Sequence, residues 1–185
     1  MNQLSLLQKL RNKIRIKGAG NKLIVDDKST LKLVNTKIYI KGKNNTLHIK
    51  NNVNIRNSFI EIVGDDCRIT IGDDCIVGYD SYLSAKEDKT QLFIGDGCML
   101  SRNVKVMTSD GHPIYHKGEI INAAKNITLH KKVWLADNVT ILKGVEVGEE
   151  SVVGINSVLT KSIPSHSIAA GNPAKVIKED ISWDH

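Results

Sequence analysis

Two histidines, His112 and His116, lie four residues apart in a polar segment of the chain, 108–119, that also contains Ser109. An imidazole titrates near neutral pH, so either histidine could take a proton from a hydroxyl group as a general base. With His130 they could also be proposed as zinc ligands, but two histidines four apart on an irregular loop are weak evidence for a metal site. We therefore expect no metal. Ser109 near His112 leaves a covalent nucleophile open as an alternative.

The chain has three cysteines, Cys67, Cys75 and Cys98, and no Cys-x-x-Cys pair among them. Each comes four positions after an aliphatic residue of the repeat, where a small side chain is expected. A metal or redox role would need a close pair of cysteines. We therefore predict that all three fill corners of the fold and that the protein works in a reducing compartment.

The elements that must position the histidines are set by a strict period of six residues. A helix repeats its apolar face every 3.6 residues and a flat strand every two, so a period of six needs another geometry, the parallel β-helix. Residues four positions after each aliphatic are small or β-branched, as expected at tight corners. The aliphatic series is Leu129, Leu135, Ile141, Val147, Val153 and Leu159, and the corner series is Val133, Val139, Val145, Ser151, Ser157 and Ile163.

The repeat is looser in the N-terminal half, where the predicted strand starts are Leu23, Leu47, Ile69 and Leu92. These longer coils imply insertions at the corners. Asn, Asp and Gly precede the strand starts, and these residues tolerate the left-handed backbone angles of tight turns.

We predict a single all-β domain over 1–185, built as one solenoid with a short N-terminal helix. Leu4, Leu7 and Leu10 are expected on one face of that helix, which would cover the open end of the first coil. The hexad pattern stops at Thr108 and resumes near Ile127, so the polar segment is an excursion loop, where a rigid scaffold would carry chemistry. The predicted parts are a cap at 1–17 with a helix near 2–12, coils at 18–163, an excursion loop at about 107–127, and a C-terminal extension at 164–185.

Charge is unevenly distributed, because residues 1–50 have a net charge of +10 while the rest of the chain has −4. A basic end can attract an acidic polymer or a membrane face, or can be only a solvated surface. Tyr39 is the one aromatic residue in that segment, which argues against nucleic acid as a partner. No apolar run approaches the ~20 residues of a membrane span, and residues 1–10 lack the pattern of a signal peptide. We expect a cytoplasmic protein without an integral membrane segment.

Four motifs between residues 69 and 177 resemble the hexapeptide-repeat acyltransferases, specifically the O-acetyltransferase branch with galactoside, maltose and capsular-polysaccharide acetyltransferases. The resemblance implies a left-handed β-helix and a homotrimer with active sites in the clefts between subunits. It also implies acetyl-CoA as the donor. The motifs are Gly-His-Pro at 111–113, Val-Trp-Leu at 133–135, Ile-Leu-Lys-Gly-Val at 141–145 and Ala-Gly-Asn-Pro-Ala at 170–174.

The same resemblance implies roles for individual residues. His112 would be the general base and Trp134 would lie beside the acetyl donor, with a backbone amide near Ala136 or Asp137 binding the thioester oxygen. Lys161 and Lys175 would meet the nucleotide phosphates. The other implied contacts are Gly154, Ile155, Thr160, Asn172 and Pro173 for coenzyme A, and Tyr115 and His116 for the acceptor.

The chain departs from the galactoside and maltose enzymes in its N-terminal half, where additional coils are expected and 79–83 contains no acceptor-binding asparagine. We therefore expect a longer saccharide acceptor, acidic if the basic coils contact it, as in capsule or lipopolysaccharide modification. The predicted function is direct acetyl transfer to a sugar hydroxyl of such a polysaccharide or its precursor. The alternatives are an N-acyltransferase on an amino sugar or sugar nucleotide, a γ-carbonic-anhydrase-like zinc enzyme, and a noncatalytic β-helix scaffold.

Overall fold

The computed structural model describes residues 4–184 and begins with a short helix, α1 (Leu6–Arg11), capped by Ser5. The Gln8 amide donates to Ser5 Oγ at 3.3 Å and the Ser5 amide donates to Gln8 Oε1 at 2.9 Å, so two amides of the helix start are paired. The helix is shorter than predicted, and residues 2 and 3 lie outside the described part. Leu4 is buried, whereas Leu7 and Leu10 are exposed, so the predicted common apolar face was wrong.

The rest of the described chain is a succession of short strands. Before the excursion loop they are β1 (Lys13–Lys17), β2 (Lys22–Val25), β3 (Lys32–Val34), β4 (Lys37–Lys41), β5 (Thr46–Ile49), β6 (Asn54–Arg56), β7 (Phe59–Val63), β8 (Arg68–Ile71), β9 (Ile76–Val77), β10 (Tyr82–Lys86), β11 (Gln91–Ile94), β12 (Met99–Leu100) and β13 (Lys105–Met107). The loop and the strands after it are β14 (Tyr115–His116), β15 (Glu119–Ile120), β16 (Ile127–Leu129), β17 (Trp134–Leu135), β18 (Thr140–Ile141), β19 (Glu146–Val147), β20 (Val152–Val153), β21 (Val158–Leu159), β22 (Ile168–Gly171) and β23 (Ala174–Lys178).

Successive strands visit three parallel sheets in turn, which makes a three-sided solenoid. We call the sheets faces A, B and C, and name each corner by the two faces it joins. Face A is β1-β4-β7-β10-β13-β18-β21, face B is β2-β5-β8-β11-β16-β19, and face C is β3-β6-β9-β12-β17-β20-β22 with β23 added antiparallel at its end.

Each aliphatic residue of the hexad series lies directly above its counterpart in the previous coil. Ile141 pairs with Val106 below it and Leu159 above it, and all three are completely buried. All six residues of the series are completely buried. The looser N-terminal series is in register as well, because the predicted strand starts pair as Leu23↔Leu47↔Ile69↔Leu92. The period of six is confirmed as the pattern that fills the interior of the prism.

The corners contain the residues that their geometry predicts. Asn138 and Asn156 occupy the C–A corner with φ of 62° and 58°, and the Asn138 side-chain amide donates to Asn156 Oδ1 at 2.9 Å. The three cysteines are buried with free thiols, and each thiol donates to a backbone carbonyl of the adjacent coil. The prediction that the cysteines are small corner residues is confirmed.

The solenoid extends further at both ends than the predicted 18–163. β1 begins at Lys13, inside the predicted cap, and pairs with β4 along its length. β22 pairs in parallel with β20 and belongs to the stack, although 164–185 was expected to leave it. β1 was misplaced because its Lys-Ile-Arg-Ile-Lys pattern alternates like an ordinary strand, and β22 because its inward residue is the small Ala169, paired with Val153, in place of a large aliphatic. No helix within residues 4–184 has the length and apolarity needed to cross a bilayer.

Candidate functional site

The excursion loop leaves the stack after β13 and returns at β16, at the A–B corner. Its outer part is a hairpin in which β14 and β15 pair antiparallel, with Tyr115 opposite Ile120 and His116 opposite Glu119. Lys117 and Gly118 form the two-residue turn with φ of 49° and 85°, the positive angles that tight hairpins require. Tyr115 and His116 are therefore exposed on the outer hairpin.

Asn122 organises the inner part of the loop, around His112. Its Nδ2 donates to the His112 carbonyl and to Asp110 Oδ2, both at 2.9 Å, and its Oδ1 accepts the Ile114 amide at 2.6 Å. One amide side chain thus holds the His112 carbonyl, the Ile114 amide and the Asp110 carboxylate together. Asn122 was not predicted as a site residue, because an asparagine in an irregular segment has no recognisable spacing from the other residues of the site.

Lys143 ties this arrangement to the solenoid. Its Nζ donates to Asp110 Oδ2 at 2.6 Å and also to the Asn122 carbonyl, and its side chain is only 16% exposed. The ammonium group of Lys143, followed by the hydrogen bond from Asn122, lowers the pKa of the Asp110 carboxyl. The Asp110 carboxylate therefore fixes the loop to the solenoid. Lys143 lies in the 141–145 motif that the sequence indicated, but its contact with Asp110 was not predicted.

Glu87 holds the two ends of the loop together. Ser109 Oγ donates to Glu87 Oε1 at 2.5 Å, and the Ala124 amide donates to Glu87 Oε2 at 3.4 Å. Ser109 Oγ also accepts the Gly111 amide at 2.9 Å. The Ser109 hydroxyl is thus used in loop structure, which argues against a nucleophile here.

The loop encloses a pocket of about 370 Å³ lined by Gly111 and Pro113, the two neighbours of His112. His112 itself is exposed, and within residues 4–184 its ring makes no hydrogen bond or ion pair. Its backbone is therefore fixed while its imidazole is available to a substrate. The other lining residues are Glu87, Ile120, Asn122 and Ala123.

Trp134 lies on face C, in register between Met99 and Val152. Its indole Nε1 donates to Ser101 Oγ at 3.1 Å, and its ring centroid is 5.8 Å from that of Trp183 in the C-terminal tail. The ring is half-buried, as expected for a large side chain on the outside of the prism.

Asp137 follows Trp134 at the C–A corner and is paired with Arg102. The guanidinium contacts Asp137 Oδ2 at 2.5 and 3.0 Å, and these hydrogen bonds lower the pKa of the Asp137 carboxyl. Of the two amides considered for the thioester oxygen, Ala136 already donates to the Val153 carbonyl at 2.9 Å. The Ala136 amide is therefore not available to the thioester oxygen, and the Asp137 amide stays the predicted donor to that oxygen.

Most of the predicted coenzyme A contacts lie close together at the last coils of face C. A Cβ placed on Gly154 would lie 3.1 Å from the Ala170 methyl, and the Gly171 amide donates to Ser157 Oγ at 3.0 Å. The Asn172–Pro173 turn follows Gly171 directly, exposed Ile155 follows Gly154, and Lys175 lies opposite Ala170 in β23.

Thr160 and Lys161 are separated from that group. They follow β21 at the A–B corner, the corner from which the His112 loop also leaves, and both are exposed. Within one chain, therefore, the loop and Lys161 share one corner of the prism, while Trp134 and the other predicted donor contacts occupy face C and the C–A corner.

Known proteins are similar to this chain in sequence and in structure. No family model matches the chain. A polysialic acid O-acetyltransferase of Neisseria meningitidis is 36% identical over 84% of this chain and 83% of its own length. The solved structure of the polySia-specific acetyltransferase NeuO has a TM-score of 0.75 and 33% identity, covering 96% of this chain and 90% of that one. The chain belongs to the hexapeptide-repeat O-acetyltransferases.

Membership of the hexapeptide-repeat O-acetyltransferases confirms the predicted left-handed parallel β-helix. A polysialic acid O-acetyltransferase of Escherichia coli O1:K1 is 43% identical over 98 residues, but the chain spans only 32% of that relative's length. The N-acyltransferase AntD of Bacillus cereus superposes with a TM-score of 0.53 at 17% identity, and that likeness shows the fold alone.

Proposed function

We propose that the protein is an acetyl-CoA-dependent O-acetyltransferase that modifies a sugar hydroxyl of a bacterial surface polysaccharide or its precursor. The observation that carries the proposal is the 36% identity with a polysialic acid O-acetyltransferase over most of both chains. The fixed backbone and free imidazole of His112 support it, because direct transfer needs one well-placed base.

The reaction begins when the His112 imidazole takes the proton of the acceptor hydroxyl. The oxygen attacks the thioester carbonyl, and the negative charge of the tetrahedral intermediate is stabilised by the Asp137 amide. Collapse of the intermediate breaks the carbon–sulfur bond, and the coenzyme A thiolate takes the proton from the imidazolium. The products are the acetyl ester and free coenzyme A, with no acyl-enzyme.

The functional unit is a homotrimer in which the His112 loop of one subunit meets face C of its neighbour. The support is geometric: the loop leaves the A–B corner, while Trp134 and Gly154 lie on a different face of the same chain. A cyclic trimer can bring two different surfaces together in each of its three interfaces. Each cleft then contains the base from one subunit and the donor contacts from the next.

The donor lies along the last coils, beside small residues such as Gly154 and Ala170. The lack of a side chain at Gly154 lets the two coils pack closely, because a Cβ there would lie 3.1 Å from the Ala170 methyl, and the pantetheine arm passes along this shallow surface. Lys161, on the loop's corner of one subunit, and Lys175, on face C of its neighbour, are both exposed and meet the phosphates of the nucleotide as mobile point charges from the two sides of the cleft.

The acceptor is an acidic saccharide that extends onto the N-terminal coils. On face A, Lys13 and Lys17 of β1 lie directly beside Lys37 and Lys41 of β4. Neighbouring like charges repel one another, and a bound polyanion would relieve that repulsion. Tyr39 lies between the two lysines of β4 and offers an aromatic surface to a sugar ring.

The proposal is tested by thiol release from acetyl-CoA in the presence of acidic polysaccharides, neutral polysaccharides and amino sugars. We expect release that depends on an acidic polysaccharide, and a fall of about 10² to 10⁴ in rate for His112→Ala. His130→Ala, the same change at an exposed histidine outside the loop, should retain most of the activity. Equal rates for the native protein and His112→Ala would contradict the assigned base, and release only with amino sugars would instead favour the N-acyltransferase.

A further inference from the structure

The chain contains two tryptophans, and both lie at the same place. Trp134 belongs to face C, while Trp183 comes from the tail that follows β23. Their ring centroids are 5.8 Å apart with an angle of 43° between the ring planes, within the range of favourable aromatic pairs. In a chain with 4% aromatic residues, this pairing is not expected from chance packing.

The tail is fixed to the outside of the prism by backbone contacts. The chain turns at Asp180, where φ is 56°, and the Ile181 amide donates to the His166 carbonyl at 3.0 Å. Trp183 Nε1 then donates to the Lys132 carbonyl at 2.8 Å. The second bond places the Trp183 ring at the B–C corner, beside Lys132, which comes two residues before Trp134. The two bonds together fix the position of the tail relative to Trp134.

Trp134 is held from the opposite direction by the coil below it. Its Nε1 donates to Ser101 Oγ at 3.1 Å, so the indole is restrained by a hydrogen bond at one edge and by the Trp183 ring. Trp134 is not part of the interior, since the inward-facing residues stacked on this part of face C are Leu100, Leu135 and Val153, all completely buried. The restraint acts on the orientation of the Trp134 ring.

We infer that Trp183 is a positioning residue for the acetyl donor, acting by stacking on Trp134 and fixing the orientation of its indole. The inference rests on the proposed function, in which Trp134 lies beside the thioester. Groups that contact a reacting substrate must be held to within about 0.5 Å and 10–20°. The C-terminal tail supplies that precision, which the flat outer surface of face C does not.

The experiment measures acetyl-CoA binding and steady-state transfer for Trp183→Ala, Trp183→Phe and the control Ser182→Ala, an exposed neighbour on the same tail. Near-ultraviolet circular dichroism reports the tryptophan pair directly, because no other tryptophan contributes. Thermal denaturation of each variant shows whether the solenoid is intact. Ser101→Ala removes the other restraint on Trp134 and provides an independent variant.

We expect Trp183→Ala to weaken acetyl-CoA binding about fivefold and to lower kcat as well, since an aromatic pair is worth roughly that much. Trp183→Phe should restore binding to within about twofold, Ser101→Ala should resemble Trp183→Ala, and Ser182→Ala should be unchanged.

Native binding and turnover in Trp183→Ala, despite loss of the dichroism signal, would overturn the inference while leaving the proposed function intact. A loss that follows only the melting temperature, without rescue by Trp183→Phe, would also overturn it. If the native protein fails to bind acetyl-CoA, the proposed function itself is wrong, and the inference falls with it.

Discussion

The coils before the excursion loop differ from the coils after it in length and in what they expose. Leu23, Leu47, Ile69 and Leu92 stack one above another in the long early coils. The face-A strands span five residues from β1 to β10 and three in β13, whereas the two strands of that face after the loop span two residues each. The early coils expose lysine at both ends of β1 and β4. The later coils instead carry half-buried Trp134 and Gly154 on their outer surface.

This difference shows how a solenoid separates two tasks on one core. The interior is the same aliphatic stack throughout, so each outer surface can be set by residues that do not contribute to packing. We assign acceptor contact to the basic early coils and acetyl transfer to the later coils with their loop. The two regions should therefore respond differently to matched changes.

The largest effect is expected from cavities made in the shared core. Ile60→Ala in β7 and Ile141→Ala in β18 each remove a completely buried side chain on face A, and each should lower the free energy of unfolding by about 2–5 kcal/mol. Hydrogen exchange should show lost protection mainly in the early coils for Ile60→Ala and mainly in the later coils for Ile141→Ala. The same whole-chain pattern in both variants would contradict independent behaviour of the two regions.

A large effect on catalysis alone is expected from Asn122→Ala. It removes the bonds from Asn122 to the His112 carbonyl and to Asp110, so kcat should fall by about ten- to hundredfold with little change in the KM for acetyl-CoA. Asn126→Ala is the matched control, because Asn126 Oδ1 accepts the Gln91 amide at 2.9 Å and does not contact His112. Equal losses in the two variants would refute the role of Asn122.

A smaller effect is expected when one lysine of the basic early coils loses its charge. Lys37→Gln should raise the KM for an acidic polysaccharide about two- to fivefold at low salt, and the difference should shrink as added salt screens the charges. Lys105→Gln, an exposed lysine on the same face in β13, should have little effect. Equal changes in KM for the two variants would show that the early coils do not bind the acceptor.

The smallest effect concerns pH and the loop anchor. The pKa of Asp110 is lowered by Lys143, so its pairing stabilises the loop above the ordinary carboxyl pKa and that stability is lost as pH falls through the lowered value. Limited proteolysis should cut the loop more readily in acid, below about pH 4. Asp110→Asn should be cut readily at neutral pH as well. A loop with the same resistance in both proteins would mean that the ion pair does not anchor it.

The features that sequence predicted well are those encoded by local period. The hexads from Leu129 to Leu159 specify which side chains point inward, and corner asparagines specify turns, so the coils and the loop boundaries followed directly. β1 was missed because its Lys-Ile-Arg-Ile-Lys pattern alternates like an ordinary strand, and it is largely exposed.

The contacts within the site could not be predicted in the same way. Glu87 accepts from Ala124, and Lys143 donates to Asn122. Both contacts join a solenoid residue to the loop, and they depend on the path of the loop, which no period sets. The Trp134–Trp183 pair likewise depends on how the tail returns to face C. A motif can mark such residues, as it did for Lys143, but only the folded arrangement identifies their partners.

The central claim is that each active site combines the His112 loop of one subunit with face C of another, and mixed trimers test it most directly. His112→Ala and Trp134→Ala chains, differently tagged and coexpressed, would be purified as mixed assemblies and assayed for acetyl transfer. In a cyclic trimer that contains both kinds of chain, one of the three clefts combines an intact loop with an intact face, so activity should rise to about a third of the native value. Mixed assemblies no more active than either variant alone would contradict the claim.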